Sequence, residues 1–473
     1  MTPSQSVAIA GAGAPTGATL WRAEFADTLK LAAPLAISQL GQIAMMTTDL
    51  ALLGRLGDEV VAAAALSHTV LFVAFTLGMG LVSAVAPLAS QAFGARKPRL
   101  VRRAVRVGIW AAFMAGVPLT AMQFFGEDIL LALGQAPATA ELAGRYLHGL
   151  AWSMIPAWIF MVLRNFMSAV NKPEPALWIT LAAIPINGIL AYVLIYGAFG
   201  APRLEMLGAG LATTLVNVFM CALAIWVAYT QRPFKKYRVL GRFWRPDWVL
   251  FRQLMTIGLP ISGSFMLEYG LFAAAALLMG KIGTSAIAAH QIALQTAAVL
   301  YMVPFGISMA ATVRVGQAVG RRDPDATRRA GFVAMMLAVS FMVVMTAIVA
   351  LTRHSIPALF LGESPGAAET MALAATLLVL GATFFITDGA QTVAAGALRG
   401  LNDTRVPLLI AAFSFWVVGF VGSYSLAFYA GLGAVGVWIG VSISTLVFSI
   451  LLVWRFHALT RTHYLPAVPG ASG

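Results

Sequence analysis

Charge is scarce in this sequence. Asp, Glu, Lys and Arg make up 10% of its 473 residues, against roughly 25% in an ordinary soluble domain. With 60% hydrophobic residues, the apolar surplus exceeds what one water-facing fold can bury. There is one cysteine, Cys221, so no intrachain disulfide framework exists. No Cys/His cluster has zinc spacing, and no HExxH, deep Ser/His pair or paired-Asp protease motif is present, which argues against a membrane-embedded enzyme. Residues 1–20 have neither a basic start nor a strong apolar stretch, so no secretory leader is expected.

What the chain does have is apolar runs of about 20 residues, recurring from Leu29 to Arg455, each long enough to cross a bilayer as a helix. Backbone polar groups in lipid must bond internally, so these runs are helices. A β-barrel would instead alternate polar and apolar residues in short segments. Twelve spans are expected, near 29–53, 60–92, 104–125, 141–168, 176–199, 207–230, 250–280, 286–315, 329–353, 369–399, 406–430 and 433–456. Residues 1–28 and 457–473 read as flexible tails.

The net charge is +13, and its placement follows topology rather than nucleic-acid binding. Five basic residues, Arg55, Arg145, Arg203, Lys281 and Arg353, fall beside odd-numbered loops. The other 26 of the 31 lie beside the termini and the even-numbered loops. The positive-inside rule then puts both termini in the cytoplasm of a multi-pass protein of the inner membrane. The basic stretch over 231–249 reads as a cytoplasmic linker between two halves, 29–230 and 250–456.

Those halves repeat at one offset. A shift of 226 pairs Pro34 with Pro260, Gly54 with Gly280, Gly57 with Gly283, Gly80 with Gly306, Gln91 with Gln317 and Gly94 with Gly320. Six spans per half start both halves on the same membrane side. The repeat is therefore parallel, an architecture common in transporters. Pro34, Pro185, Pro260 and Pro304 lie inside spans, as kinks or hinges.

Three acids lie deep inside spans: Asp49, Glu268 and Asp388. A charged side chain at a helix centre costs about 3 kcal/mol on the insertion scale. Buried carboxyls can carry a proton, bind a small cation or neutralise a cationic substrate. A site that does two of these jobs exclusively is a minimal antiporter. An interhelical hydrogen bond is the purely structural alternative. Under the repeat Glu268 maps to Gln42, while the first half has Asp49, so two chemically different polar sites are expected. Asn187, Gln42, Gln291, Gln391 and Asn217 can join a cation site or tie helices together. His290 is a packed, bonded side chain or a proton relay.

At these residues the chain resembles the multidrug and toxic compound extrusion (MATE) family, bacterial NorM-type branch. The segments LAAPLAISQL, TTDLALLGRLG, GLPISGSFMLEYGLFA, AAHQIALQ and DGAQTVAAGALRGLNDT carry the likeness. It implies an all-α integral membrane protein with twelve transmembrane helices in two six-helix pseudo-symmetric lobes, open as a V. It implies secondary active export of organic cations, drugs and other small amphipathic compounds in exchange for Na⁺ or H⁺, with no cofactor. Its partners would be these small molecules, the coupling ion and membrane lipids, and the protein would be a monomer. Glu268 and Asp388, with Na⁺ possible at both, match the coupling acids of the second lobe. Asp49 matches an acid of the first, and Phe272 an aromatic near the cation. Two positions depart from the pattern. Asn187 is followed by Ala191 rather than a second Asn, and Phe384 replaces a Tyr one turn before Asp388. A lipid-linked precursor flippase is the rival transporter reading, favoured by Arg or Lys inside the spans.

Overall fold

The computed structural model describes residues 17–362 and 367–468. Twelve long helical segments form the bundle, labelled in chain order. They are α1 (Gly17–Gly54), α2 (Asp58–Gly94), α3 (Pro98–Phe124), and α4 (Pro137–Ala151 with Met154–Ala169, bent by 45°). Then come α5 (Glu174–Tyr196), α6 (Glu205–Thr230), α7 (Trp248–Ile282) and α8 (Thr284–Gly320). The last four are α9 (Pro324–Leu351), α10 (Ala367–Gly400), α11 (Arg405–Tyr429) and α12 (Gly433–Arg461). Ten of these are long and apolar enough to cross a membrane, eleven with the bent pair, among the described residues. The twelfth, α1, has 38 residues, and Gln39, Gln42 and Asp49 lower its hydropathy.

Local chemistry sets the ends. Asp247 and Asp323 cap α7 and α9 by accepting the N–H of Leu250 and Ala326. Gly57 and Gly283, related by the repeat, precede α2 and α8 at φ 128° and 159°, a region that favours glycine. The bend of α4 falls at Trp152–Ser153, where the Ser153 hydroxyl competes for the Leu150 carbonyl. The internal prolines break no span. Mid-helix Ile189, Leu277, Val344 and Leu409 are exposed, an apolar surface suited to acyl chains rather than water.

Two expected tails are corrected. Residues 17–28 belong to α1, because Glu24 is buried and pairs with Arg314 of α8 through two bonds of 2.9 Å. At the other end α12 runs to Arg461. Residues 461–464 are exposed, but the chain returns to the protein at partly buried Leu465 and buried Val468, with Arg322 donating to the Pro466 carbonyl. The remaining tail residues, 1–16 and 469–473, lie outside the described ones. The 231–249 linker is folded as well: Phe234 and Tyr237 are buried against Phe166.

The halves meet along a seam at the end of the bundle that carries the basic loops, here the basic end. The seam repeats the 226 offset. A Cβ on Gly94 would collide with the Gln317 carbonyl, and one on Gly320 with the Gln91 carbonyl. Gly316 abuts Ser90, its own repeat partner, so the pseudo-twofold axis passes between them. Gln91 donates to the Gly400 carbonyl at 2.9 Å and accepts from Asn402 at 3.0 Å. In return Gln317 donates to the Ala169 carbonyl and to Asn171, both at 2.9 Å. Asn171 and Asn402 both adopt positive φ just after their helices, a conformation Asn tolerates.

Two helices straddle this seam. The basic-end residues Leu31, Ala32 and Leu35 of α1 are buried in the second-half core with Ile307 and Ala311. Their repeat counterparts on α7, Ile257 and Ile261, are buried in the first-half core with Val85 and Leu88. Further along, Leu53 of α1 returns to the first half, and Leu278 and Met279 of α7 to the second.

Candidate functional site

Asp49 and Glu268 occupy the returning halves of the straddling helices, and Asp388 lies on α10. In the first lobe Asp49 of α1 is 5% exposed. Its Oδ1 accepts from Asn187 of α5 at 2.7 Å and its Oδ2 from Thr213 of α6 at 3.1 Å. Both oxygens are therefore bonded. The position expected for a second Asn is Ala191, fully buried, and Thr213 of α6 supplies the second donor. Nearby, the Tyr146 hydroxyl lies 3.5 Å from His68 Nε2. Gln42 stays off this network and is half-buried, with no hydrogen bond to Asp49 among the described residues.

In the second lobe one amide joins the two acids. Gln391 Nε2 donates to Glu268 Oε1 of α7 at 2.9 Å and to Asp388 Oδ1, one turn away on α10, at 2.8 Å. The Gln391 Oε1 is buried and has no partner among the described residues. A buried acceptor without a donor costs about 1–3 kcal/mol, so this oxygen has acceptor capacity to spare. A cavity opens on Glu268, Gln391, Tyr301 of α8 and Arg399 of α10. The Thr392 hydroxyl bonds the Asp388 carbonyl at 2.7 Å and points its donor away from the carboxylates. Among the described residues no three His, Cys, Asp or Glu side chains converge.

Phe272 and Phe384 pack edge to face at 5.9 Å. Phe384 is 1% exposed and also touches Trp438 at 5.5 Å, so a packed aromatic edge stands where the family pattern has a hydroxyl. His290 accepts from Trp438 Nε1 at 3.1 Å on its Nδ1. It is held in this aromatic cluster and makes no bond to either acid. Gln291 is exposed and does not join the site.

Sequence reasoning missed Thr213, Tyr301 and Arg399. Arg399 was grouped with the basic loop, and Thr213 carried only the signal of a hydroxyl inside an apolar span. Arginine also lies inside the first lobe. Arg164 is 4% exposed and donates to Gln39 at 3.0 Å.

The MatE family model matches residues 34–193 and 260–425. Its two segments start 226 residues apart, the offset of the internal repeat. The chain belongs to the MatE family. It is a transporter rather than an enzyme, and like other members it has twelve transmembrane helices in two lobes. A probable multidrug resistance protein NorM of Rhodopseudomonas palustris is 62% identical over 99% of both chains. One of Bradyrhizobium diazoefficiens is 59% identical over 93% of this chain and 94% of its own. Among solved structures, the eukaryotic MATE transporter AtDTX14 matches with TM-score 0.83 at 21% identity, covering 94% of this chain and 99% of its own. An outward-facing multidrug resistance MATE family transporter matches with TM-score 0.85 at 20% identity, covering 95% and 99%. At these identities the structures speak for the fold.

Proposed function

We propose that this MatE-family protein is a secondary active multidrug efflux antiporter of the cytoplasmic membrane, with the basic end and both termini in the cytoplasm. It exports organic cations and other small amphipathic compounds in exchange for Na⁺ or H⁺. The export of drugs follows the names of its close relatives. The coupling chemistry rests on the second-lobe acids.

One observation carries the coupling. Glu268 rides on α7, whose basic end is packed in the first lobe, while its carboxylate is tied through Gln391 to Asp388 in the second. A cation at Glu268 and Asp388 satisfies the orphan Gln391 oxygen and changes the charge that α7 carries across the seam. Rocking the lobes then alternates access to the acids, and ion entry on one side excludes a cationic drug from the same charge. Asp49, bonded by Asn187 and Thr213, is a second protonation or binding site on the other straddling helix. The proposed transport unit is a single chain, since both lobes come from one polypeptide.

A flippase of lipid-linked precursors would need a cationic surface between the lobes. Arg399 opens instead into a cavity lined by second-lobe side chains, and Arg164 is bonded to Gln39.

Ethidium uptake into everted vesicles, with Na⁺ and pH gradients imposed separately, tests the proposal. Asp388→Asn should insert normally and lose gradient-driven efflux. Undiminished efflux from that variant would remove the coupling role of the pair.

A further inference from the structure

The second-lobe cavity does not end at the acids. Its lining extends from Glu268 past Phe265 and Arg399 to Asp403, in the loop at the basic end. From Gln391 to the last turn of α10 is roughly 14 Å at the helical rise. Every element lining it, α7, α8, α10, α11 and α12, belongs to the second half. At the far end Asp403 pairs with Arg455 at 2.8 Å.

Such a path is a liability for an antiporter. Ions admitted to Glu268 from outside must not continue to the cytoplasm unless the lobes move. Rocking one lobe against the other closes passages between lobes and does nothing to a passage inside one of them. A local barrier is required.

Arg399 stands in that passage. Its guanidinium lies 4.9 Å over the Phe265 ring, one turn from Glu268. Among the described residues no carboxylate lies within 4 Å of it. Arginine stays protonated in proteins, and a charge in a transmembrane helix is costly to keep without a partner. Fixed positive charge in a narrow path repels cations, as arginines do in selective pores. Aromatic stacking holds the charge in place without neutralising it.

We propose that Arg399 is a fixed-charge plug that stops the coupling cation, Na⁺ or hydronium, from leaking from Glu268 to the cytoplasm through the second lobe. This inference rests on the coupling role given to Glu268 above. Asp403 is held by Arg455 at the mouth, which keeps that carboxylate from reaching in to neutralise Arg399.

The test uses purified full-length protein in proteoliposomes. A Na⁺ or pH gradient is imposed without drug, and its decay is followed with a ²²Na tracer or a pH dye. Wild type and Arg399→Lys should stay tight. Arg399→Gln should leak the coupling cation roughly tenfold faster or more, as loss of a unit-charge barrier in a low-dielectric path demands. Adding Glu268→Gln to it should slow the leak, because the path starts at that acid. A second arm places Arg399→Cys in a Cys221→Ser background. Its leak should be closed by a cationic methanethiosulfonate and left open by a neutral one of similar size. Arg399→Gln vesicles as tight as wild type would overturn the plug, whether or not they still pump. So would equal closure by both reagents, which would mark the residue as a space-filler. Glu268→Gln alone, assayed for drug efflux, separates failure of the coupling role from failure of the plug.

Discussion

Asp49 and Glu268 sit on equivalent helices of two lobes that share a backbone frame, yet their surroundings differ in kind. Asp49 has a donor on each oxygen, Asn187 and Thr213, from two neighbouring helices. Glu268 shares a single amide with a second acid, and that amide's own oxygen is unsatisfied. The first lobe presents a carboxyl with one donor on each oxygen. The second presents two acids with spare ligand capacity beside a cavity. The repeat has conserved packing while letting the polar chemistry diverge. The difference fits the proposal that the second lobe carries the stronger coupling role.

The largest test of that contrast is to neutralise each acid in turn. Glu268→Gln and Asp388→Asn should each abolish gradient-driven ethidium efflux. Asp49→Asn should leave part of it, since Asn187 can still donate to the new side chain. Equal loss from all three, in protein of equal abundance, would break the comparison. Next in size is Gln391→Met, which keeps volume and removes the shared amide. Losing hydrogen bonds to charged groups costs about 2–3 kcal/mol, so the ion concentration needed for half-maximal efflux should shift by roughly thirtyfold or more. An unmoved ion dependence would show that the two acids act separately.

Thr213→Val sharpens the first-lobe side. It removes one of two donors to Asp49, an effect of about 1 kcal/mol. Thermal stability should fall slightly, while ion-dependent efflux falls less than in Gln391→Met.

The smallest effect belongs to Asp247, a carboxylate outside the spans that serves as the contrast for all three. Burial pushes its acidity toward the protonated form. The 2.6 Å bond from Arg103, the Leu250 N–H and the charges of Arg103 and Arg106 outweigh this, and hold it below its ordinary value of 3.8. Its contribution is therefore present above that value and fades as pH falls through the lower folded-state value. Asp247→Asn should lower the melting temperature at neutral pH by the equivalent of about 1 kcal/mol and leave efflux unchanged. The gap to wild type should close in acid. A gap that persists there would mean that the ion pair is not its source.

Much of this was legible beforehand. Bilayer physics turns apolar runs into helices, and the fixed offset of 226 reappears in the seam, where Gln91 bonds to Gly400 and Asn402 of the second half and Gln317 to Ala169 and Asn171 of the first. Periodicity was silent where a partner lies far along the chain. Glu24 read as part of a tail because its partner, Arg314, is 290 residues away. Gln42, Gln291 and Gln391 were alike as amides in apolar spans. Only Gln391 faces two acids, because its rotation about α10 points it at α7.

The amino-acid order by itself determined a twelve-span, two-lobed membrane transporter with three acids in its spans. Hydropathy, charge placement and repeat spacing are local or periodic quantities that survive in one dimension. Tertiary structure decided which polar groups meet. It exchanged the ends of α1 and α7 between the lobes, left the Gln391 oxygen without a donor among the described residues, and set Arg399 behind Glu268 with no carboxylate of the described residues within 4 Å. Those facts depend on helix rotation and packing, and hydrogen bonds that act over about 3 Å cannot be read from residues hundreds of positions apart.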